Sequence, residues 1–167
     1  MAQVALDMAT RRAHPLDVVE QVVAANGWTF ERPGDDEVAA EVAADGGVFR
    51  LWFSWVPERE TLHLSCGFEV KLAQGRSQGL FELLARINER LWMGHFDLWS
   101  EQGLVTFRHS LPLCGGPGVL PEQVKELVEV ALGECERFLP AFQYVIWGGA
   151  SPGEAVEIAA LDTVGEA

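Results

Sequence analysis

One serine of the chain lies in the pattern of a hydrolase nucleophile. Gly149-Ala-Ser151-Pro-Gly153 matches G-x-S-x-G, in which a strained strand-to-helix turn exposes a serine for attack on a carbonyl carbon. That turn needs a parallel sheet, whereas the preceding residues here have helical spacing. Ser151 and Glu154 also form the Ser-x-x-Glu capping box of a helix start. We therefore predict a helix cap at Ser151 and no catalytic serine.

The four histidines are the next candidates for chemistry, and their spacing does not bring them together. His14, His63, His95 and His109 fall on separate elements, without H-E-x-x-H or another metal-ligand spacing. On the outer face of one predicted hairpin, however, three groups become neighbours: His95, Asp97 and Arg108. They leave a small-ligand or enzymatic site as the alternative function. No nucleophile or metal ligand accompanies them, so we favour a structural hydrogen-bonded cluster and predict neither catalysis nor a metal.

A glycine-rich segment precedes the last long helix. Gly115-Gly-Pro-Gly118 lies where free backbone N–H groups of a helix start can hold an anion. The segment lacks the lysine of a phosphate-binding loop and the third glycine of a dinucleotide loop, and Glu122 and Glu126 follow it. We predict a flexible connector and no cofactor.

Six tryptophans are the most unusual feature of the composition. Trp28 and Trp55 have the parity of core residues, but Trp52 and Trp99 lie on the opposite strand faces and Trp92 lies off the main helix stripe. A second packed layer or a protein–protein interface would explain them. The polar neighbours on the outer strand face, which include Arg50, Ser54, His63, Ser65 and Thr106, favour the interface. The candidate interface residues are Phe81, Asn88, Trp92, Trp52 and Trp99.

Composition excludes several classes of protein. With 167 residues, 49% of them hydrophobic and 22% charged, the chain fits one packed domain. Twelve basic against twenty-five acidic residues give a net charge of −13, which repels nucleic acid and anionic membrane. The three cysteines, Cys66, Cys114 and Cys135, show no C-x-x-C spacing and indicate buried thiols in a reducing compartment. No secretory signal or membrane-spanning run is present, so we expect a cytoplasmic protein.

The elements that position these residues follow from periodicity. Helices are predicted over residues 15–26, over 77–93 with Ser77 as cap and Gly94 as terminator, and from Pro121, with a break or kink at Pro140. A two-residue turn at Asp45-Gly46 sets Glu41 opposite Arg50 and Ala39 opposite Trp52. Further strands are predicted at 28–30, 62–68, 95–99 and 104–111, with a loop at 71–76. Tight turns between the strands predict an antiparallel sheet with helices on one face, an α+β fold.

The chain also resembles a bacterial family, the YbjN family. The resemblance lies in Leu84-Ala-Arg-Ile-Asn-Glu-Arg-Leu-Trp-Met-Gly-His-Phe-Asp97, in Val105-Thr-Phe-Arg-His109 and in Ile146-Trp-Gly-Gly149 with the residues from 161 to the end. Such proteins are described as sensory transduction regulators. The resemblance implies a fold similar to that of type III secretion chaperones, which dimerise and bind partner polypeptides, and it supplies no catalytic residues.

Two functions from different classes therefore stand after the sequence. The first is a non-enzymatic protein-binding module, chaperone-like or regulatory, with a protein partner of unknown identity. The second is the small-ligand or enzymatic site at His95, Asp97 and Arg108. We expect a flexible segment over 1–13, the YbjN-like domain over 14–148 and a tail with a short helix over 149–167. A homodimer through the helix of residues 78–93 and the neighbouring hairpin would bury Phe81 and Trp92, unless the tail helix folds back over them.

Overall fold

The computed structural model describes residues 13–44, 46–70 and 77–162 and contains one antiparallel sheet and four α-helices. The strands are β1 (Thr29–Gly34), β2 (Glu37–Ala44), β3 (Gly47–Val56), β4 (Thr61–Glu69), β5 (His95–Trp99) and β6 (Leu104–Pro112). The helices are α1 (Pro15–Ala25), α2 (Ser77–Asn88), α3 (Pro121–Ile146) and α4 (Pro152–Asp162), and a 3₁₀ turn covers Pro57–Arg59. The strand order in the sheet is β1-β2-β3-β4-β6-β5. The predicted α+β class is confirmed.

The predicted register of the first hairpin is confirmed. Glu41 lies opposite Arg50 and Ala39 opposite Trp52. Alternation explains this register, because a one-residue slip of one strand would turn its apolar side chains from the core face to the solvent face. Asp45, and with it the predicted turn type, lies outside the described residues, as do residues 1–12 and the loop at 71–76. The first strand is longer than the predicted 28–30 and pairs with β2 over most of its length.

Three helices cover one face of this sheet. Helix α1 packs on β1 to β3, α2 on β5, and α3 on β4 and β6. Each turns a buried apolar stripe to the sheet, and Val19 of α1, Ile87 of α2 and Phe138 of α3 are fully buried there. Two side chains of α1 also reach β1, because Asp17 and Glu20 both accept hydrogen bonds from Nη1 of Arg32, at 2.8 and 3.0 Å.

Two helix ends differ from the predictions. Helix α2 ends at Asn88 rather than near Gly94, because the Asn88 amide turns to the backbone of Phe96 and the chain bends away. Gly94, at φ +69°, is instead the turn residue directly before β5. The side chain of the predicted cap Ser77 lies outside the described part of the structure.

Helix α3 runs unbroken through Pro140, where the sequence predicted a break or kink, since the buried residues on both sides of the proline hold it in the core.

The chain beyond α3 folds back over the helical layer. Helix α4 packs against α2 and α3 and buries Ala155, Val156 and Ala159. Its start is the predicted capping box: the Ser151 backbone N–H donates to Glu154 Oε2 at 3.0 Å, and the Glu154 N–H donates to Ser151 Oγ at 3.4 Å. The Ser151 hydroxyl, which donates to Glu154 Oε2 at 2.7 Å, and the Ser151 backbone N–H lower the pKa of the Glu154 carboxyl. The boundaries at 13/14 and 148/149 stay predictions.

Candidate protein interface

The sheet face turned away from the helices carries an apolar patch. We call Trp52, Leu104 and Trp99 the outer patch. A side chain at Gly67 would lie 3.0 Å from Cζ3 of Trp52 and 3.3 Å from Cδ1 of Leu104, so these two side chains pack over the glycine. Trp99 lies directly opposite Leu104 and remains 41% exposed. The patch therefore spans β3, β4, β6 and β5 and presents indole surface to solvent.

Charged pairs surround the outer patch. Arg50 contacts Glu69 at 2.8 Å and Glu41 at 3.4 Å on one side, and Arg108 contacts Asp97 at 3.4 Å on the other. All five side chains are 44% exposed or more, so each pair contributes little to stability. An apolar centre with a charged, hydrated rim is the usual organisation of a protein interface.

One residue of this face is less accessible than the sequence predicted. Thr106, expected among the polar surface residues, is fully buried, and its Oγ1 has no hydrogen-bond partner within the described residues. In the register it lies between Gly67 and Asp97, next to the outer patch. The close packing of the larger side chains around it removes this hydroxyl from water.

The residues of the alternative site, His95, Asp97 and Arg108, are neighbours on the exposed surface of the sheet and not in an enclosed cavity. His95 lies opposite Arg108, and Asp97 accepts a hydrogen bond from the backbone N–H of Leu98 at 2.9 Å. Asp97 and Arg108 side chains are 44% and 45% exposed. Exposed groups of this kind are well hydrated, and hydration weakens the electrostatic effects on which catalysis depends. The arrangement is an exposed, hydrated cross-strand ion pair beside a histidine.

A histidine–serine pair on the same face escaped the sequence prediction. His63 Nδ1 lies 2.6 Å from Ser110 Oγ across the β4–β6 pairing. The pairing of β4 with β6 joins strands separated by a helix and a hairpin, so tight-turn arguments could not reveal it. A base–nucleophile pair is usually oriented by a third group. No carboxylate within the described part of the chain contacts this imidazole, so the pair is only a surface hydrogen bond.

The second predicted interface region comprises α2 and the residues after it, and only part of it has the predicted helical conformation. Phe81 on α2 is 53% exposed and Trp92 is 72% exposed. Trp92 lies beyond the end of the helix, so the prediction that it belongs to a helix over 77–93 with Phe81 and Asn88 is wrong. Asn88 donates to the Phe96 carbonyl at 3.0 Å and accepts from the Phe96 N–H at 2.7 Å. Its amide thus joins α2 to β5, which leaves Phe81 and Trp92 as the free apolar surface.

The tail helix contacts α2 without covering that surface. Arg90 pairs with Glu157 at 2.5 Å and fixes α4 beside the end of α2. Phe81 and Trp92 nevertheless keep more than half of their surface exposed. The tail therefore does fold back on α2, as the competing hypothesis required, but along another face of the helix.

Neither a metal centre nor a membrane span emerges from the described residues. Within 13–44, 46–70 and 77–162 no three His, Cys, Asp or Glu side chains converge as metal ligands. Over the same residues, no helix has the length and apolarity needed to cross a bilayer.

Cys66 and Cys135 are buried, with their sulfurs 3.6 Å apart, and burial raises the pKa of the Cys135 thiol well above its ordinary value. Cys114 is exposed.

Comparison with known proteins agrees with the fold. Among solved structures, "YbjN, a putative transcription regulator from E. coli" matches with a TM-score of 0.52 and 18% identity, over 88% of this chain and 93% of that one. A chain of the ExsC–ExsE complex matches with a TM-score of 0.53 and 18% identity, over 72% and 86%. No curated protein sequence matches the chain. The model of the family described as "YbjN: Putative bacterial sensory transduction regulator" matches residues 15–144, and the chain belongs to this family.

Proposed function

We propose that the protein is a non-enzymatic binding module, chaperone-like or regulatory, that holds a partner polypeptide on the outer face of its sheet. The outer patch carries this proposal, since it exposes indole surface on a face that the described helices leave uncovered. Tryptophans in a flat apolar centre are frequent anchors of protein interfaces. The fold shared with a chain of the ExsC–ExsE complex supports a protein as the bound partner. A cytoplasmic location accompanies this proposal.

Capture of the partner from native lysate tests the proposal. The wild-type protein and the double variant Trp52→Glu/Trp99→Glu are each immobilised, and bound proteins are compared by quantitative mass spectrometry. We expect specific partners of the wild type to fall by about tenfold or more on the variant, because interface tryptophans are common hot spots. Leu161→Glu, at a 69% exposed position of α4, is the matched control. Equal capture by the double variant would contradict the proposal.

We further propose that the chain forms a homodimer through the exposed surface of Phe81 on α2 and Trp92 after the helix. Phe81 on α2 and Trp92 after it are 53% and 72% exposed, and Arg90, two residues before Trp92, is paired with Glu157. In a two-fold contact each aromatic side chain would be used twice, once from each subunit. The outer patch lies on the opposite side of the sheet from the helices and stays free for the partner.

A further inference from the structure

A shallow groove lies on the outer face beside the edge strand β1. We call Glu31, Ala39, Glu41 and Trp52 the Ala39 groove, after the residue at its floor; the groove has a volume of about 550 Å³. Ala39 lies between Glu31 on β1 and Trp52 on β3, and neighbouring strands are about 5 Å apart. The backbones of Glu31 and Trp52 are therefore about 10 Å apart, and the small Ala39 side chain between them forms the floor of the groove.

Carboxylates dominate the charge around this space. Glu37 and Glu41 flank Ala39 on its own strand, and Glu31 lies across from it. Glu31 and Glu37 are exposed and make no ion pair within the described residues, whereas Glu41 shares Arg50 with Glu69. Arg50 also lines the groove, but its charge is already neutralised by these two carboxylates, so the groove keeps a net negative charge. In a chain with a net charge of −13, the local sign agrees with the long-range field.

The indole of Trp52 gives the groove an apolar wall that also attracts cations. A Lys or Arg side chain has an aliphatic stem and a charged head, and an aromatic ring beside carboxylates accommodates both parts. Packing of Trp52 over Gly67 restrains the ring on its other side, so the wall is formed before anything binds. A neutral apolar side chain would leave the carboxylates without a partner, and an acidic one would be repelled.

We propose that the Ala39 groove receives a Lys or Arg side chain of the bound polypeptide. This inference rests on the proposed function and narrows it, because it requires the partner segment to be basic next to its apolar anchor. The stem of that side chain lies along Trp52, and its cationic head lies between Glu31 and Glu41, which line the groove, with Glu37 next to them on β2.

Capped amino acids test this proposal without the native partner. Nα-acetyl-arginine and Nα-acetyl-lysine methylamides are titrated into the ¹⁵N-labelled full chain, with the norleucine analogue as the neutral probe. The indole N–H signal of Trp52 is assigned by its loss in Trp52→Phe. We expect both cationic probes to shift this signal in a saturable way and the norleucine probe to leave it in place. Equal shifts from all three probes, or no saturable shift from either cation, would overturn the proposal.

Two charge variants isolate the contribution of the carboxylates. Glu31→Gln/Glu37→Gln should weaken the cationic probes by about threefold or more, whereas Glu58→Gln/Glu136→Gln changes the net charge equally at exposed sites elsewhere. If both double variants weaken binding of the cationic probes equally, the effect comes from overall charge and the proposal is overturned. If the wild type binds the cationic probes as expected but Trp52→Glu/Trp99→Glu still captures the partner, the proposed function alone is refuted. Lost capture without cation binding in the wild type refutes the groove alone.

Discussion

The hydrogen bonds of Ser151 cap the helix that follows α3. Ser151 Oγ donates to Glu154 Oε2 at 2.7 Å, and the Glu154 N–H points back to Ser151 Oγ. We expect Ser151→Ala to lower the free energy of unfolding by about 1 kcal/mol or less, the usual contribution of an N-cap side chain. Urea denaturation followed by circular dichroism measures this change. Covalent labelling of Ser151 in the folded protein by a fluorophosphonate probe would contradict the assignment as a cap.

His109 gives the stability of the fold a dependence on pH. Partial burial, and to a lesser extent the nearby His95, lower the pKa of His109 below its ordinary value of 6.5. The unfolded chain then binds the proton more tightly than the folded protein does, so protonation favours unfolding. We expect stability to fall as the pH decreases from about 7 through the ordinary histidine pKa and toward the lowered value.

The urea midpoint at about pH 7.5 and about pH 5.5 measures this effect in the wild type and in His109→Gln. The difference between the two pH values should be smaller in His109→Gln. His63→Gln, which removes an imidazole from another strand, serves as the control. If His109→Gln keeps the full pH difference of the wild type, His109 is not its source.

Residue types and spacing were sufficient to predict some of these features and not others. The Ser151 cap depends only on a residue and its third neighbour, so a local pattern revealed it. The His63–Ser110 contact and the burial of Thr106 depend on which distant strands pair and how large side chains pack over Gly67. No local pattern contains that information.

At the scale of elements, the turn between α2 and β5 is the most constrained connection that the structure describes. Gly94 has φ +69°, a left-handed conformation that other residues rarely adopt. A Cβ there would collide with the ring of Phe107 and would lie 2.9 Å from the carbonyl oxygen of Arg108. The backbone of the turn therefore passes too close to β6 for any side chain.

We expect Gly94→Ala to lower the free energy of unfolding by about 2 kcal/mol or more, from backbone strain and the collision together. Gly133→Ala is the matched control, because Gly133 lies inside α3 with nothing within 4 Å of the added Cβ. That change should stabilise the protein by up to about 1 kcal/mol. Denaturant midpoints of both variants measure the two effects. A neutral Gly94→Ala would show that the turn can shift without cost.

The strand register could be predicted from sequence, but the end of α2 could not. Alternation of apolar and polar residues ties β2 to β3, since one face of each strand is buried. Helical spacing through Leu91 and Trp92 continues past the true end of α2, where the Asn88 amide finds the Phe96 backbone. A side chain that bonds a later strand ends a helix without leaving a mark in the hydrophobic pattern.

For the molecule as a whole, the proposed homodimer makes a direct prediction. Wild-type protein in sedimentation equilibrium should show twice the chain mass of 18.3 kDa, and Trp92→Glu should shift the distribution to the monomer. A charge at a position that is 72% exposed in the single chain harms only an interface, because water can hydrate it in the monomer. Leu161→Glu on α4 is the control and should sediment like the wild type. A wild type that stays monomeric at high concentration would refute the dimer.

The sheet order also has a consequence for the time course of folding. Strands β2, β3 and β4 are joined by short turns, whereas β6 reaches β4 only after α2 and β5 have intervened. Closing that longer loop costs more conformational entropy than closing a hairpin. The connection from β1 to β2 is equally short, so we expect the meander of β1 to β4 to gain amide protection first and the β4–β6 ladder later, an order that pulsed hydrogen exchange measures. Until that ladder closes, Cys66 and its strand neighbours on β4 remain at a sheet edge that a nascent chain must keep from pairing with another copy.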